Sequence, residues 1–283
     1  MRIIDPHVHV WKNDPRFPWA PETAVPPNHD ATPEMLLDLM AAHGVEKTVL
    51  VQSIHYRWDN TYTAHAMKTY PDKFMGVCRV YPEDPDAPDR LSYWTEEHGF
   101  HGVRLSPAAG AAGAWYGGEL TRRIFGRAEE LGVPMLLVTK KHGAENAAPD
   151  RLPELAKLLE RHSRLNMVID HMADCAIDRP DHLQLLLNLA VFPNVYVKIS
   201  HTWWLSETAY PWADTHNMVK KVYHTFGAQR IMWGTDWPVC LNAAAYPQTL
   251  SVVRDEMDFF APEDMEWILG KTALQIWDFP ESE

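Results

Sequence analysis

The sequence predicts a single-domain (β/α)8 barrel, a TIM barrel, over residues 1–283. Three observations carry this reading. Eight short Val/Ile/Leu-rich stretches alternate with amphipathic ones at spacings of about 26 to 45 residues, the rhythm of βα units and a parallel sheet. Eight such units in 283 residues match the size of that barrel, typically about 250 residues. The first strand-to-helix turn carries no Gly-rich phosphate loop, which argues against a doubly wound nucleotide-binding sheet.

The elements follow in order. Residues 3–10 form an apolar strand that ends on His7 and His9. A proline-rich connection, roughly 11–31, holds Pro15, Pro18, Pro21, Pro26 and Pro27. Connections this long are functional or disordered; Trp11, Phe17 and Trp19 can pack and argue against disorder. Thr32 is a fitting N-cap for a helix with Pro33 at its first position and Gly44 at its end. Further strands are expected at 47–52, 74–80, 101–106, 133–139, 166–170, 195–200 and 230–235. Helices at 60–70, 87–98, 119–131, 152–162, 181–191 and 215–226 alternate with them, several closed by a glycine such as Gly132 or Gly227. Two helical stretches, near 249–260 and 262–277, finish the chain.

Composition narrows the function classes. A formal net charge of -12 argues against nucleic acid or an anionic membrane surface as the main partner. The three cysteines, Cys78, Cys175 and Cys240, are too scattered for a disulfide framework or a Cys-x-x-Cys metal site, and read as buried thiols. No signal peptide precedes the first strand and no apolar run reaches membrane-span length, so a cytoplasmic protein is expected.

His7 and His9 point the same way, because side chains two apart share a face of a strand. Alone the pair is weak: 15 histidines in 283 residues supply about one His-x-His by chance. The strength lies in convergence. In this barrel the C-terminal strand ends meet on one face, where active sites sit. Those ends bear His7 and His9, Arg104, Lys140 with Lys141 and His142 beyond, Asp170 and His171, Lys198 with His201 beyond, and Asp236.

Asp-Pro-His-Val-His at strand one, Gly-Val-Arg-Leu-Ser at strand four, Ile-Asp-His-Met at strand six and Trp-Gly-Thr-Asp-Trp-Pro at strand eight resemble the amidohydrolase superfamily. The likeness covers essentially the whole chain and is nearest to the amidohydrolase-related branch of sugar-acid lactonases and pyrone-dicarboxylate lactonase. It implies a hydrolase. It also implies that His7, His9 and Asp236 are metal ligands or polarising groups, that His171 is a ligand or proton donor, and that Asp236 takes the proton of the attacking water. One feature departs from the pattern. Strand five ends Leu-Leu-Val-Thr-Lys-Lys, where many relatives place a histidine or a carbamylated lysine. A single Zn²⁺ held by His7, His9 and Asp236, with His171 as a further ligand, and a metal-free site both remain open.

Plainer roles stand beside these. Asp170 is an alternative to His171 as the inward group, and Arg104 and Lys198 are candidates for structural ion pairs. If functional, Arg104, Lys140 and Lys198 mark an anionic substrate. His142 and His201 read as plain loop residues. Trp115, Trp203 and Trp237 are candidate walls for a ring-shaped substrate, and residues 107–118 a candidate lid. The expected partner is a small anionic cyclic molecule; the C-terminal helices leave homo-oligomerisation open. The expected reaction is opening of a lactone or related C–O or C–N bond. The alternatives are a metal-dependent decarboxylase of an aromatic or muconate-like acid, and a catalytically silent small-molecule binding protein.

Overall fold

Eight parallel strands lie side by side in chain order in the computed structural model, which describes residues 1–105, 118–139 and 152–279. They are β1 (Ile3–Val8), β2 (Val45–Val51), β3 (Phe74–Arg79), β4 (Val103–Leu105), β5 (Met135–Leu137), β6 (Met167–Ile169), β7 (Val195–Lys198) and β8 (Ile231–Met232). Residues just beyond β8 close the sheet onto β1. Asp236 N donates to His7 O at 2.9 Å and His9 N donates to Trp237 O at 2.7 Å. Val8 and Trp237 form a parallel bridge between these bonds. The architecture is the predicted (β/α)8 barrel.

The main helices between the strands are α1 (Pro33–His43), α2 (Thr61–Thr69), α3 (Ala87–Ser92), α4 (Glu119–Leu131), α5 (Leu152–Leu159) and α6 (Pro180–Leu187). After β7 come α7 (Thr202–Leu205) and α8 (His216–Phe226), and after β8 come α9 (Tyr246–Ser251) and α10 (Thr272–Ile276). Thr32 and Gly44 bound α1 as expected: the Thr32 hydroxyl accepts from Met35 N, and Gly44 takes φ 72. The stretches predicted as long helices near 87–98 and at the C-terminus are broken into α-turns and wider π-turns, over Tyr93–Glu97, Val252–Glu256 and Trp267–Lys271. A π-turn re-phases the buried stripe. It lets Ile268, Leu269 and Gly270 be buried in succession, which a regular helix edge would not allow.

The core has two layers. Ile4, Val49, Val51, Met75, Val77, Leu136, Val168 and Met232 fill the barrel from inside, and Trp277 and Phe279 plug its N-terminal end. A larger cluster packs between sheet and helices. Cys78, Cys175 and Cys240 are free and buried, and burial pushes the Cys175 thiol up to about 12. The 11–31 connection is packed: Trp11 and Ala31 exchange backbone hydrogen bonds, and Trp19 stacks on Tyr56 at 4.8 Å. Among the described residues, no helix is long and apolar enough to cross a membrane.

β1 contains the irregularity that makes the site. Ile4 points into the barrel and Ile3 and Val8 point out toward the helices. Strict alternation would then turn His7 and His9 outward. A register shift between Asp5 and Val8 inverts the alternation. The Asp5 carboxylate accepts from His7 N at 3.1 Å and holds this kink.

The C-terminal plug makes a stability test. A Cβ on Gly270 would come within 2.3 Å of Arg2 O, a backbone atom at the start of β1, whereas a Cβ on Gly126 in α4 meets nothing within 4 Å. Gly270→Ala should lose about 1–3 kcal/mol of stability by overpacking. Gly126→Ala should gain roughly 0.5–1 kcal/mol from helix propensity. Equal and small effects in urea denaturation would show that Gly270 does not press on the chain entering β1.

Candidate active site

Five side chains converge above the apolar barrel core. His7 and His9 come from β1, His171 follows β6, His201 follows β7 and Asp236 follows β8. All five are buried or nearly so. Asp236 is the hub. Its Oδ1 lies 3.1 Å from His9 Nε2 and 3.5 Å from His7 Nε2, and its Oδ2 lies 2.5 Å from His201 Nε2. His201 Nδ1 reaches Asp174 Oδ1 at 3.2 Å. The His201 ring stacks face to face on His171, with centroids 3.4 Å apart and planes within 1°.

Left-handed backbone builds this arrangement. His171, Met172, Ala173 and Asp174 form a full left-handed turn, with φ of 55, 51, 59 and 49. His201 and Asp236 also sit at positive φ, 66 and 54. None is glycine, and this conformation costs roughly 1–2 kcal/mol per L-residue. Burial and specific bonds hold it, among them Thr139 Oγ1 donating to Ala173 O at 2.7 Å. Its effect is to fold the chain back at each strand end, so that three consecutive units deliver a side chain to one point.

A cationic girdle lies beneath. Asp170 is buried and meets Lys198 Nζ at 3.0 Å, Arg104 Nε at 3.0 Å and His7 Nδ1 at 3.3 Å. Burial would raise the Asp170 carboxyl, but Lys198, His7 and Arg104 hold it well below the usual range. Burial, then the Lys198 charge, pulls His7 down to about 3. Burial and the neighbouring His201 and His7 hold His171 well below the histidine range as well. His201 behaves in the opposite way. Burial would lower it, but Asp236 and Asp174 outweigh burial and lift it to about 9. Asp236, which burial would raise, is held well below the carboxylate range by the His201 charge and hydrogen bond. At neutral pH the site therefore holds a His201 imidazolium between two carboxylates, with neutral His7 and His171 beside it.

The donor set fits a divalent cation. Ligand atoms of His7, His171 and Asp236 lie within 4.8 Å of one another. His7 Nε2 and Asp236 Oδ1 are buried and make no hydrogen bond. His9 Nδ1 donates to Val51 O at 2.7 Å, and its Nε2 lies 3.1 Å from Asp236 Oδ1. His171 is braced by Ser200 Oγ at 2.8 Å, as ligating histidines commonly are.

The sequence-level candidates fall as follows. His7, His9, His171 and Asp236 come together. Both residues of the Asp170–His171 pair point inward, because the left-handed turn begins there. Arg104 and Lys198 are engaged with Asp170, and Lys198 is fully buried. Trp203 is buried with its ring 4.9 Å from His201. Trp237 is buried and helps close the barrel through its carbonyl. Lys140, Trp115, His142 and nearly all of the candidate lid lie outside the described residues. His201 was expected to be a plain loop residue, and that expectation is corrected. Its signal in the sequence was only that it lies one residue past Ser200, where the chain must turn.

Comparison with known proteins agrees with this fold. A family profile described as Amidohydrolase matches residues 4–279. The chain belongs to the amidohydrolase family. This amidohydrolase is 30% identical over 243 residues to an L-fucono-1,5-lactonase of Burkholderia ambifaria, covering 83% of this chain and 80% of that one. It is 26% identical over 242 residues to a 4-sulfomuconolactone hydrolase of Hydrogenophaga intermedia, covering 83% and 74%. In fold it matches an amidohydrolase of Burkholderia multivorans, solved with bound zinc, at a TM-score of 0.79, 22% identity, and 99% and 100% coverage.

Asp5 supports the amidohydrolase site from below and has a measurable signature. It accepts from His7 N, Thr235 N and Thr235 Oγ1, and burial raises it from 3.8 to about 7. Between those values the folded protein holds a proton that the unfolded chain has lost. The Asp5 contribution to stability thus falls as pH rises through that window. The Tm of Asp5→Asn relative to the native protein should therefore rise from about pH 4 to about pH 7. A pH-independent difference would show that Asp5 is charged throughout.

Proposed function

We propose that this amidohydrolase opens a cyclic ester in a small carboxylate-bearing molecule by attack of water. The observation that carries the reading is Asp236. It is a buried carboxylate kept ionised by His201, with its other oxygen free of hydrogen bonds and facing the mouth histidines. A group of this kind accepts a proton from water.

The residues divide the work. Asp236 Oδ1 takes a proton as the water oxygen bonds to the carbonyl carbon. The carbonyl π electrons move to oxygen, and the positive field of His201 and the deeper Lys198 and Arg104 favours that charge. The tetrahedral centre then collapses, the ring C–O bond breaks, and the proton on Asp236 passes to the departing oxygen. Water and lactone become a hydroxy acid, and Asp236 is regenerated. His201 keeps its proton throughout. It holds Asp236 in place and ionised, through a hydrogen bond set by Asp174 on its other nitrogen. His171 is neutral, so its fitting role is ligand rather than proton donor.

His7, His171 and Asp236, with His9 beside them, are the residues that would hold a divalent cation, and we take Zn²⁺ as the fitting ion for this nitrogen and oxygen set. Such an ion would polarise the carbonyl and acidify the attacking water. Three unpaired cysteines suit a reducing, cytoplasmic setting.

Tests are direct. Asp236→Asn should lower kcat about 10²–10⁴-fold with lactones. Turnover in ¹⁸O-water should place one label in the product, which decarboxylation would not do. Metal analysis should give about one zinc per chain, removable by chelation with loss of activity and of Tm. If the purified protein shows no turnover, the silent binding protein is the better reading; turnover that Asp236→Asn leaves unchanged would overturn the role given to Asp236.

A further inference from the structure

His55 stands at the barrel mouth beside the Asp236 cluster and has no part in the steps proposed for it. β1 and β2 pair in parallel, and their ends interlock above the sheet. His9 Nδ1 donates to Val51 O at the end of β2. In return Trp11, just past His9, meets the ring of His55, just past β2, edge to face with centroids 5.2 Å apart. His55 therefore rises next to the seam of β8 and β1 that carries Asp236, His7 and His9, near enough for His9 to act on it.

The ring is half-buried, and its setting is rigid. Trp19 also meets it near a right angle, at 6.1 Å. Trp11 is itself fixed, by Nε1 donating to His29 O at 2.9 Å. The His55 main chain is bonded at both ends. Its N donates to Ser53 Oγ at 3.3 Å, and its O accepts from Ala20 N at 3.0 Å and Thr23 Oγ1 at 2.9 Å. Tyr56 Oη, next along, donates to Lys12 O at 2.9 Å and accepts from Lys12 N at 3.0 Å. The loop after β2 is thus clamped to the 11–31 connection.

Yet neither ring nitrogen of His55 has a hydrogen-bond partner among the described residues. A histidine on open surface has free nitrogens too, but it keeps its rotamers. Here the ring is already held in place, so a ligand that bonds it loses less freedom on binding. Burial first, and then His9, Arg57 and His29, pull the ring down to about 4, and it is neutral at neutral pH. A neutral imidazole nitrogen meets a hydroxyl in either tautomer, since a hydroxyl both donates and accepts. A carboxylate or carbonyl oxygen only accepts, and suits one tautomer.

We infer that His55 is a further substrate-contacting residue, which hydrogen-bonds a hydroxyl on the lactone ring and selects hydroxylated lactones over their deoxy counterparts. The inference rests on the lactonase reading and adds a specificity-determining residue to it.

Two matched pairs of compounds test this. The rings 1,5-anhydrohexuronate and tetrahydropyran-2-carboxylate cannot be hydrolysed and differ only in their ring hydroxyls. Added to the whole protein labelled with ¹⁵N-histidine, the first should shift the His55 ring signals and the second should not. Those signals are assigned by their loss in His55→Phe, or in His55→Gln should His55→Phe fail to fold. Hexaro-1,5-lactones and 6-oxotetrahydropyran-2-carboxylate carry the same difference in an ester that can open. The native protein should open the hydroxylated member with about tenfold or higher kcat/KM, and His55→Phe should remove that advantage. Phenylalanine keeps a ring against Trp11 and Trp19, so kcat/KM for the deoxy lactone should stay as it is. His55→Gln should restore part of the advantage. Equal loss on both lactones makes His55 a packing residue and overturns the inference. So do His55 signals that no anhydrohexuronate moves, or equal native opening of the two lactones. His55 signals that answer to the hydroxyls, with neither lactone opened, sink the lactonase reading and leave the role of His55 standing.

Discussion

Two backbone hydrogen bonds, from Asp236 N to His7 O and from His9 N to Trp237 O, join the last strand unit to the first. They close the barrel and, in the same act, bring His7, His9 and Asp236 of the candidate site together. The residues whose side chains face the mouth are those whose backbones complete the sheet. Barrel closure and site geometry therefore cannot vary independently. Gly234, just past β8, serves the same contact: a Cβ there would press on His7 Cβ at 3.3 Å, closer than ordinary van der Waals contact. Asp5 ties the two ends from beneath, through His7 N and Thr235.

Above that closure the molecule concentrates charge. Asp170 is surrounded by Lys198, Arg104 and His7, and Asp236 by His201, His9 and His7. Buried ions cost several kcal/mol each unless paired. Each carboxylate here is paired, and each pairing biases a neighbour. Burial, with the Lys198 charge, keeps His7 neutral. The two carboxylates around His201 keep it charged, and that charge keeps Asp236 ionised. The left-handed turns after β6, β7 and β8 add local strain to this electrostatic cost. An apolar core below, plugged by Trp277 and Phe279, supplies the stability that supports both.

Much of the fold was legible because its signals are local. Thr32, Pro33 and Gly44 mark the limits of α1 through capping chemistry that needs no distant partner. The eight β-branched runs and their spacing announce parallel strands for the same reason. The convergence of His7, His9, His171 and Asp236 was legible because barrel geometry sends every strand end to one face. Other features were not. The π-turn over Trp267–Lys271 places Gly270 against Arg2, a contact between the two ends of the chain that no local signal announces. Most strands end before their apolar runs do, β7 at Lys198 and β8 at Met232, because ladder length depends on the neighbouring strand.

The sequence by itself determined which side chains are available at the mouth, since composition and strand order dictate that. Which of them act on one another was decided only in three dimensions. The inversion at Asp5–Val8 turns the histidines inward, although period-two alternation from Ile4 would turn them out. The left-handed turn makes Asp170 and His171 both inward, where a strand would choose one. His201 became the partner of Asp236 through a contact spanning 35 residues, and Arg79 the neighbour of Arg104 through strand register. Protonation follows from such contacts and from burial. These are properties of the assembled surroundings rather than of any residue in the chain.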